Sequence, residues 1–115
     1  MWNIIFYERE NGKVPVQEFM KSLSRQQQAK AIHEIEILEQ FGTSLRMPHA
    51  KHIDGKLWEL RIKSGSDISR IFYFIHVGDD IVLLHGFIKK TQKTPAGEID
   101  KAKTYMADYE RRADK

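Results

Sequence analysis

The stretch that decides the fold is Leu57–Pro95, LWELRIKSGSDISRIFYFIHVGDDIVLLHGFIKKTQKTP, which reads as three consecutive β-strands. Over Leu57–Lys63 the side chains alternate, with Trp58, Leu60 and Ile62 on one face and Glu59, Arg61 and Lys63 on the other. Ser64-Gly65-Ser66-Asp67 supplies a turn. Ser69–Val77 is dense in aromatic and β-branched residues, as expected of a strand covered on both faces. Gly78-Asp79-Asp80 reverses the chain, and Asp80–Ile88 is the third strand, running into a basic tail at Lys89, Lys90 and Lys93. Connections this short leave no room for crossover helices, so the strands form an antiparallel meander.

The flanking sequence supplies what packs on this meander. Trp2–Tyr7 is a short apolar run closed by Glu8-Arg9-Glu10-Asn11-Gly12, a first strand and its turn. Pro15 suits the first position of a helix, on which Val16, Phe19, Met20 and Leu23 share a buried face. Ser24 then caps a second helix, about Arg25–Phe41, which directs Ala29, Ile32, Ile35 and Leu38 toward the core and stops at Gly42. With so little between them, the two helices form an antiparallel hairpin on one face of the sheet. Thr43–Gly55, with Pro48, Arg46, Lys51, His49 and His52, reads as a loop. Thr94-Pro95 reads as the N-cap and first residue of a terminal helix reaching about Asp114, with Ile99, Ala102, Met106 and Tyr109 along one side.

At 115 residues, 41% of them hydrophobic, the chain is expected to be a single folded domain. No apolar run is long enough to span a bilayer, and no basic-then-apolar leader opens the sequence. The lack of cysteine excludes a disulfide framework and thiolate chemistry. Together these point to the cytoplasm. Glycine-rich phosphate loops, zinc-type Cys/His spacings and serine nucleophile elbows are missing. The formal net charge is only +3, so where the charges lie matters more than their sum. Arg61, Lys63, Arg70, Lys89, Lys90 and Lys93 cluster in or just after the meander, while Glu34, Glu36 and Glu39 lie on the second helix.

Strand alternation gives this cluster a geometry. Arg70, Phe72, Phe74 and His76 share one face of the second meander strand, and Ile81, Leu83, His85, Phe87 and Lys89 share one face of the third. A suitable register brings Arg61, Arg70, His85 and Lys89 onto a common helix-free surface, with Phe72 and Phe87 between them. Such a surface suits RNA: arginine clamps a phosphate, lysine adds a point charge and aromatic rings stack exposed bases. RNA also carries its own nucleophile, so a protein that aligns the 2′-hydroxyl with phosphorus and neutralises the developing charge can cut the strand. His85, or a loop histidine (His49 or His52), titrates in the right range for proton transfer. Each residue also has a plainer reading. Arg61 would be the solvated partner of Glu59 or another acid, and Arg70 must be exposed or paired. His85, Phe72 and Phe87 would be core, and the lysines a solvated strand end.

The strings LWELR, SRIFYF and HGFIKKTQKTP, in that order behind a strand and a helix pair, resemble the RelE/ParE toxin superfamily of type II toxin–antitoxin systems. The nearest resemblance is to its HigB-type, phage-derived branch, and it spans essentially the whole chain. It implies an α+β fold, a single RelE/HigB-like domain over residues 1–115. That domain has an N-terminal strand, a helical hairpin, a three-stranded antiparallel meander in one sheet and a C-terminal helix, with a basic face left open. It implies a toxin that arrests translation as a ribosome-dependent, metal-independent mRNA endoribonuclease, without a cofactor. The implied partners are the ribosome and mRNA, a cognate HigA-like helix-turn-helix antitoxin, and operator DNA through the antitoxin complex, with no membrane. The residues carried over as catalytic are Arg61, Arg70 and Lys89 or Lys90 around the scissile phosphate; the strand reading adds His85, as a base or as a structural residue near them. Lys63, Phe72, Phe87, Lys93, Arg46 and Lys51 form an RNA-binding surround. The chain departs from RelE-like enzymes in placing Glu59 where a lysine can stand, and it matches their C-terminal tyrosine only with Tyr105 or Tyr109. The acid–base pair is therefore open. The alternative implied by the same resemblance is a non-catalytic inhibitor of a protein target such as DNA gyrase; a third is a member that only binds an antitoxin and operator DNA.

Overall fold

A computed structural model describes residues 1–89 and 93–114. In chain order the elements are β1 (Asn3–Phe6), α1 (Pro15–Lys21), α2 (Arg25–Phe41), β2 (Ala50–Asp54), β3 (Leu57–Ser64), β4 (Asp67–Ile75), β5 (Asp80–Ile88) and α3 (Ala96–Ala113). The α+β architecture and the meander are as the sequence predicts. The sheet has five strands in the order β1-β5-β4-β3-β2, with β1 parallel to β5 and the other pairs antiparallel.

Several expectations need correction, three of them in how the layers are built. Part of the segment read as a loop is β2, which pairs Ala50 with Leu60, Lys51 with Glu59 and His52 with Trp58. Its Lys-His-Ile-Asp sequence lacks the β-branched density that marks the meander, so only the partner strand reveals it. On α2 the buried face is Ala31 and Leu38, with Ile35 half-buried, whereas Ile32 is 51% exposed and Ala29 is exposed. The third correction matters most: the second face of the sheet is covered. On one face α1 lies against β5 and α2 against β3, over Leu60, Ile62, Ile71, Tyr73, Ile81 and Leu83. On the other, α3 packs Ala102, Ile99, Tyr105, Met106 and Tyr109 on Leu57, Phe72, Phe74, Val82, Leu84 and Phe87.

A β-bulge reconciles the two cores. Phe72 pairs with His85 but Tyr73 pairs with Leu83, so Leu84 is an extra residue in β5. The expected single face of Ile81, Leu83, His85 and Phe87 is therefore split. Ile81 and Leu83 face the helix pair, whereas Phe87 lies under α3, where His85 stacks beside it.

Local signals set the helix ends. The Ser24 hydroxyl accepts from Gln27 N–H, and the Gln27 side chain accepts from Ser24 N–H, a complete capping box. Thr94, expected as a cap, makes none; Pro95 stands at the N-cap of α3 and the Thr94 hydroxyl goes elsewhere. Polar ties hold α3 down. The Tyr7 hydroxyl donates to Asp108 at 2.6 Å and Lys56 pairs with Glu110 at 2.9 Å. Burial, with Asp108 alongside, pushes the Tyr7 phenol up to about 12.

Gly86 marks the closest approach of α1 to the sheet, because a Cβ there would fall on the Phe19 ring. Gly86→Ala is expected to cost about 1–3 kcal/mol through overpacking, read as a lower urea midpoint at constant m-value; an unchanged midpoint would show that α1 shifts freely.

Candidate nucleic-acid interface

The site begins where β2 ends. Beyond the Ala50–Leu60 pair, one further backbone bond, from Arg61 N–H to the His49 carbonyl (2.8 Å), continues this side of β3. There β3 and β4 place Arg61 directly opposite Arg70. Two like charges across a strand pair are unfavourable unless something compensates them. Glu59, two residues back on the same face of β3, supplies the compensation: its Oε1 lies 2.7 Å from Arg70 Nε. Both residues are buried, Glu59 at 0% and Arg70 at 3% exposure. The approach is an ion pair rather than a linear hydrogen bond, and Arg70 Nη1 is buried with no hydrogen-bond partner among the described residues. Oε2 of Glu59 accepts from the Thr94 hydroxyl at 3.0 Å. Arg61 is not seen to pair with Glu59 among the described residues; its Nη1 reaches the Met47 sulfur.

Around this pair lies a cleft of about 320 Å³, lined by Arg61, Lys63, Ile68 and Arg70 of the sheet and by Lys30, His33, Glu34, Pro48 and His49 opposite. His49 Nδ1 lies 2.9 Å from Glu34 Oε2. With Nδ1 engaged, the carboxylate fixes the imidazole orientation and leaves Nε2 for another partner. Burial, and then Arg70, hold the Lys89 ammonium below its ordinary range, with Lys51 and Arg61 adding to the repulsion and Glu59 opposing it. Burial likewise depresses the Arg70 guanidinium, against the pull of Glu59.

The structure thus brings Arg61, Lys63 and Arg70 to one cleft, with Lys89 and Lys51 close enough to share their field. It does not bring the rest. Phe72 and Phe87 are 0% and 6% exposed, stacked on each other at 5.3 Å beneath α3, so neither offers a ring to a base. His85 stacks against both, and its Nε2 lies 3.1 Å from Glu98 of α3. That geometry fits a structural histidine. Arg46 lies on another part of the surface, over the Trp58 ring and bonded to the Thr43 and Leu45 carbonyls. Lys93 is exposed where the chain enters α3. Lys90 lies outside the described residues. Lys30, His33 and Glu34 were not foreseen in the site, although their i, i+3, i+4 spacing on α2 marks one helical stripe. Among the described residues, no group of acids and histidines has the arrangement to hold a metal.

The fold is thus a five-stranded sheet between a helix pair and a terminal helix, with a buried arginine at the floor of a basic cleft. A family model described as "Phage derived protein Gp49-like (DUF891)" matches residues 18–107, from α1 into α3. The chain belongs to this family of phage-derived, RelE/ParE-like toxins, whose members are often endoribonucleases. No curated protein matches it. Among the described residues, no helix is long and apolar enough to cross a membrane.

His85 gives a pH prediction. Burial lowers its pKa more than Glu98 raises it, so the unfolded chain binds the proton more readily than the folded one. Its contribution is complete above the unfolded value of about 6.5 and falls as pH drops through that value toward the lower folded one. His85→Gln is expected to flatten the loss of stability between about pH 7 and pH 5 in urea titrations. A mutant profile parallel to the wild type over that interval would refute the assignment.

Proposed function

We propose that the protein is the toxin of a type II toxin–antitoxin pair and acts as a ribosome-dependent mRNA endoribonuclease. The observation that carries this reading is the buried Arg70, whose Nη1 has no hydrogen-bond partner among the described residues, set in a cleft with Arg61, Lys63 and Lys30 and facing a Glu34-oriented His49. An unsatisfied buried guanidinium donor is costly, and an anionic oxygen is its natural complement.

In this reading Arg70 and Arg61 bind the scissile phosphate, while Lys63, Lys89 and Lys51 attract and orient the strand. The 2′-hydroxyl attacks phosphorus in line, His49 Nε2 takes its proton, and the P–O5′ bond breaks with the 5′-oxygen taking a proton from water, leaving a cyclic phosphate. The charge on the phosphorane oxygens falls on the two guanidiniums. Base stacking belongs to the ribosome or to groups other than Phe72 and Phe87, since both rings are buried. A HigA-like helix-turn-helix antitoxin would silence the protein by covering the cleft or holding it from the ribosome, and the complex would bind operator DNA.

The test is cleavage of mRNA by purified protein, with and without programmed ribosomes, with ends mapped by primer extension. Arg70→Ala is a poor probe by itself, because it strands the Glu59 charge and risks about 3–5 kcal/mol of stability. Arg61→Ala and His49→Ala alter partly exposed side chains instead. Both are expected to fold and to lose cleavage by about 10²-fold. Cuts seen only with ribosomes and lost in these variants support the reading. Folded, toxic wild-type protein that cuts nothing would replace it with inhibition of a protein target such as gyrase.

A further inference from the structure

The Thr94–Glu59 contact does something that neither helix capping nor charge neutralisation requires. Thr94 directly precedes Pro95, the N-cap residue of α3, yet its hydroxyl caps nothing and donates to a carboxylate that is fully buried. Glu59 is thereby divided: Oε1 faces Arg70 Nε at 2.7 Å, and Oε2 is held by Thr94 at 3.0 Å. A carboxylate beside an arginine otherwise tends to close as a two-pronged fork, with both oxygens on the guanidinium. Such a fork would pull the Arg70 charge onto Glu59 and away from any third anion.

We propose that Thr94 and Glu59 are positioning residues that keep Arg70 as a phosphodiester receptor. Thr94 restrains one oxygen of Glu59, so the carboxylate neutralises Arg70 enough to keep it buried without occupying it as a closed pair. Arg70 Nη1 has no hydrogen-bond partner among the described residues at the cleft that Arg61 and Lys63 also line, and a fork closed on the Nε side would draw the rest of the guanidinium charge away from it. The substrate class is a single-stranded RNA phosphodiester, and the inference rests on reading the cleft as a phosphate site.

The test compares wild type, Thr94→Val and Thr94→Ser in ribosome-programmed cleavage, with thermal melts and the NMR signal of Arg70 Nε–H as a second readout. In Thr94→Val the carboxylate is free to close on Arg70. The expected result is a kcat lower by about tenfold with KM nearly unchanged, a melting temperature that does not fall, and a shifted Arg70 Nε–H resonance. Thr94→Ser, which keeps the hydroxyl, restores all three. A merely structural role would instead lower the melting temperature and leave the kcat of the folded fraction intact. Wild-type kcat in Thr94→Val overturns the proposal whatever the resonance does. If the wild type cuts no RNA while folded, the endoribonuclease reading fails separately. The resonance then decides whether Thr94 positions Arg70: a shift reversed by serine supports it, and no shift overturns it.

Discussion

The ion pair between Glu59 and Arg70 is the constraint around which the candidate site is arranged. Each charge, taken alone into a nearly dry position, would cost several kcal/mol in lost hydration. Together they are tolerated, but they are not a natural source of stability, since apolar residues of the same volume would commonly do as well. A fold that keeps such a pair opposite a second arginine retains a cost that packing does not explain. That Arg70 Nη1 has no hydrogen-bond partner among the described residues sharpens the point, because interiors rarely leave a donor unsatisfied. An anion from outside the chain would complete the arrangement.

The sheet makes this arrangement possible by being unequal along its length. At the β1 end it is an ordinary two-sided core, with the helix pair on one face and α3 on the other. The Leu84 bulge lets β5 serve both faces, placing Leu83 toward one layer and Leu84, with Phe87, toward the other. At the far end β2 stops early, and the ladder on that side of β3 ends with the bond between Arg61 and His49. The space beside it becomes the cleft, and α2 supplies the opposite wall through Lys30, His33 and Glu34. A short edge strand defines the opening.

Much of this was legible in the sequence, and the failures have particular causes. Alternation in β3 separates Trp58, Leu60 and Ile62 from Glu59, Arg61 and Lys63, and the structure keeps that separation. The dense apolar run of β4 signals burial on both faces, which the structure bears out. The same signal implies a second covering layer, and the thin stripe of α3 proves sufficient because Tyr105 and Tyr109 add aromatic area to Ile99 and Met106. Reading the second face as open led to Phe72 and Phe87 being offered to RNA. His85 does share the face of Arg70 and Phe72, but α3 covers it there and Glu98 meets its Nε2; the bulge, of which period-two counting carries no information, instead moves Ile81 and Leu83 to the other face. The His49–Glu34 contact joins residues fifteen apart on a loop and a helix. Its geometry depends on how α2 crosses β3, which no local pattern encodes.

The modest net charge of +3 does not predict so basic a cleft; the distribution of ion pairs does. The α3 layer consumes acids: Asp108 serves Arg111 and Arg112, Glu110 serves Lys56, Asp54 serves Lys103, and Glu98 meets His85. The cleft retains Glu34, turned to His49, and Glu59 beneath it, against Lys30, Arg61, Lys63 and Arg70 on its walls and floor. The positive field therefore arises because acids in and around the α3 layer are already paired, which leaves the cations of the cleft in excess. Exposed pairs such as those on α3 contribute little to stability singly. Their consequence is electrostatic instead: they confine the excess charge to one end of the sheet. A polyanion meeting this protein would feel a local field far stronger than a net charge of +3 suggests, and one that salt weakens within about a Debye length.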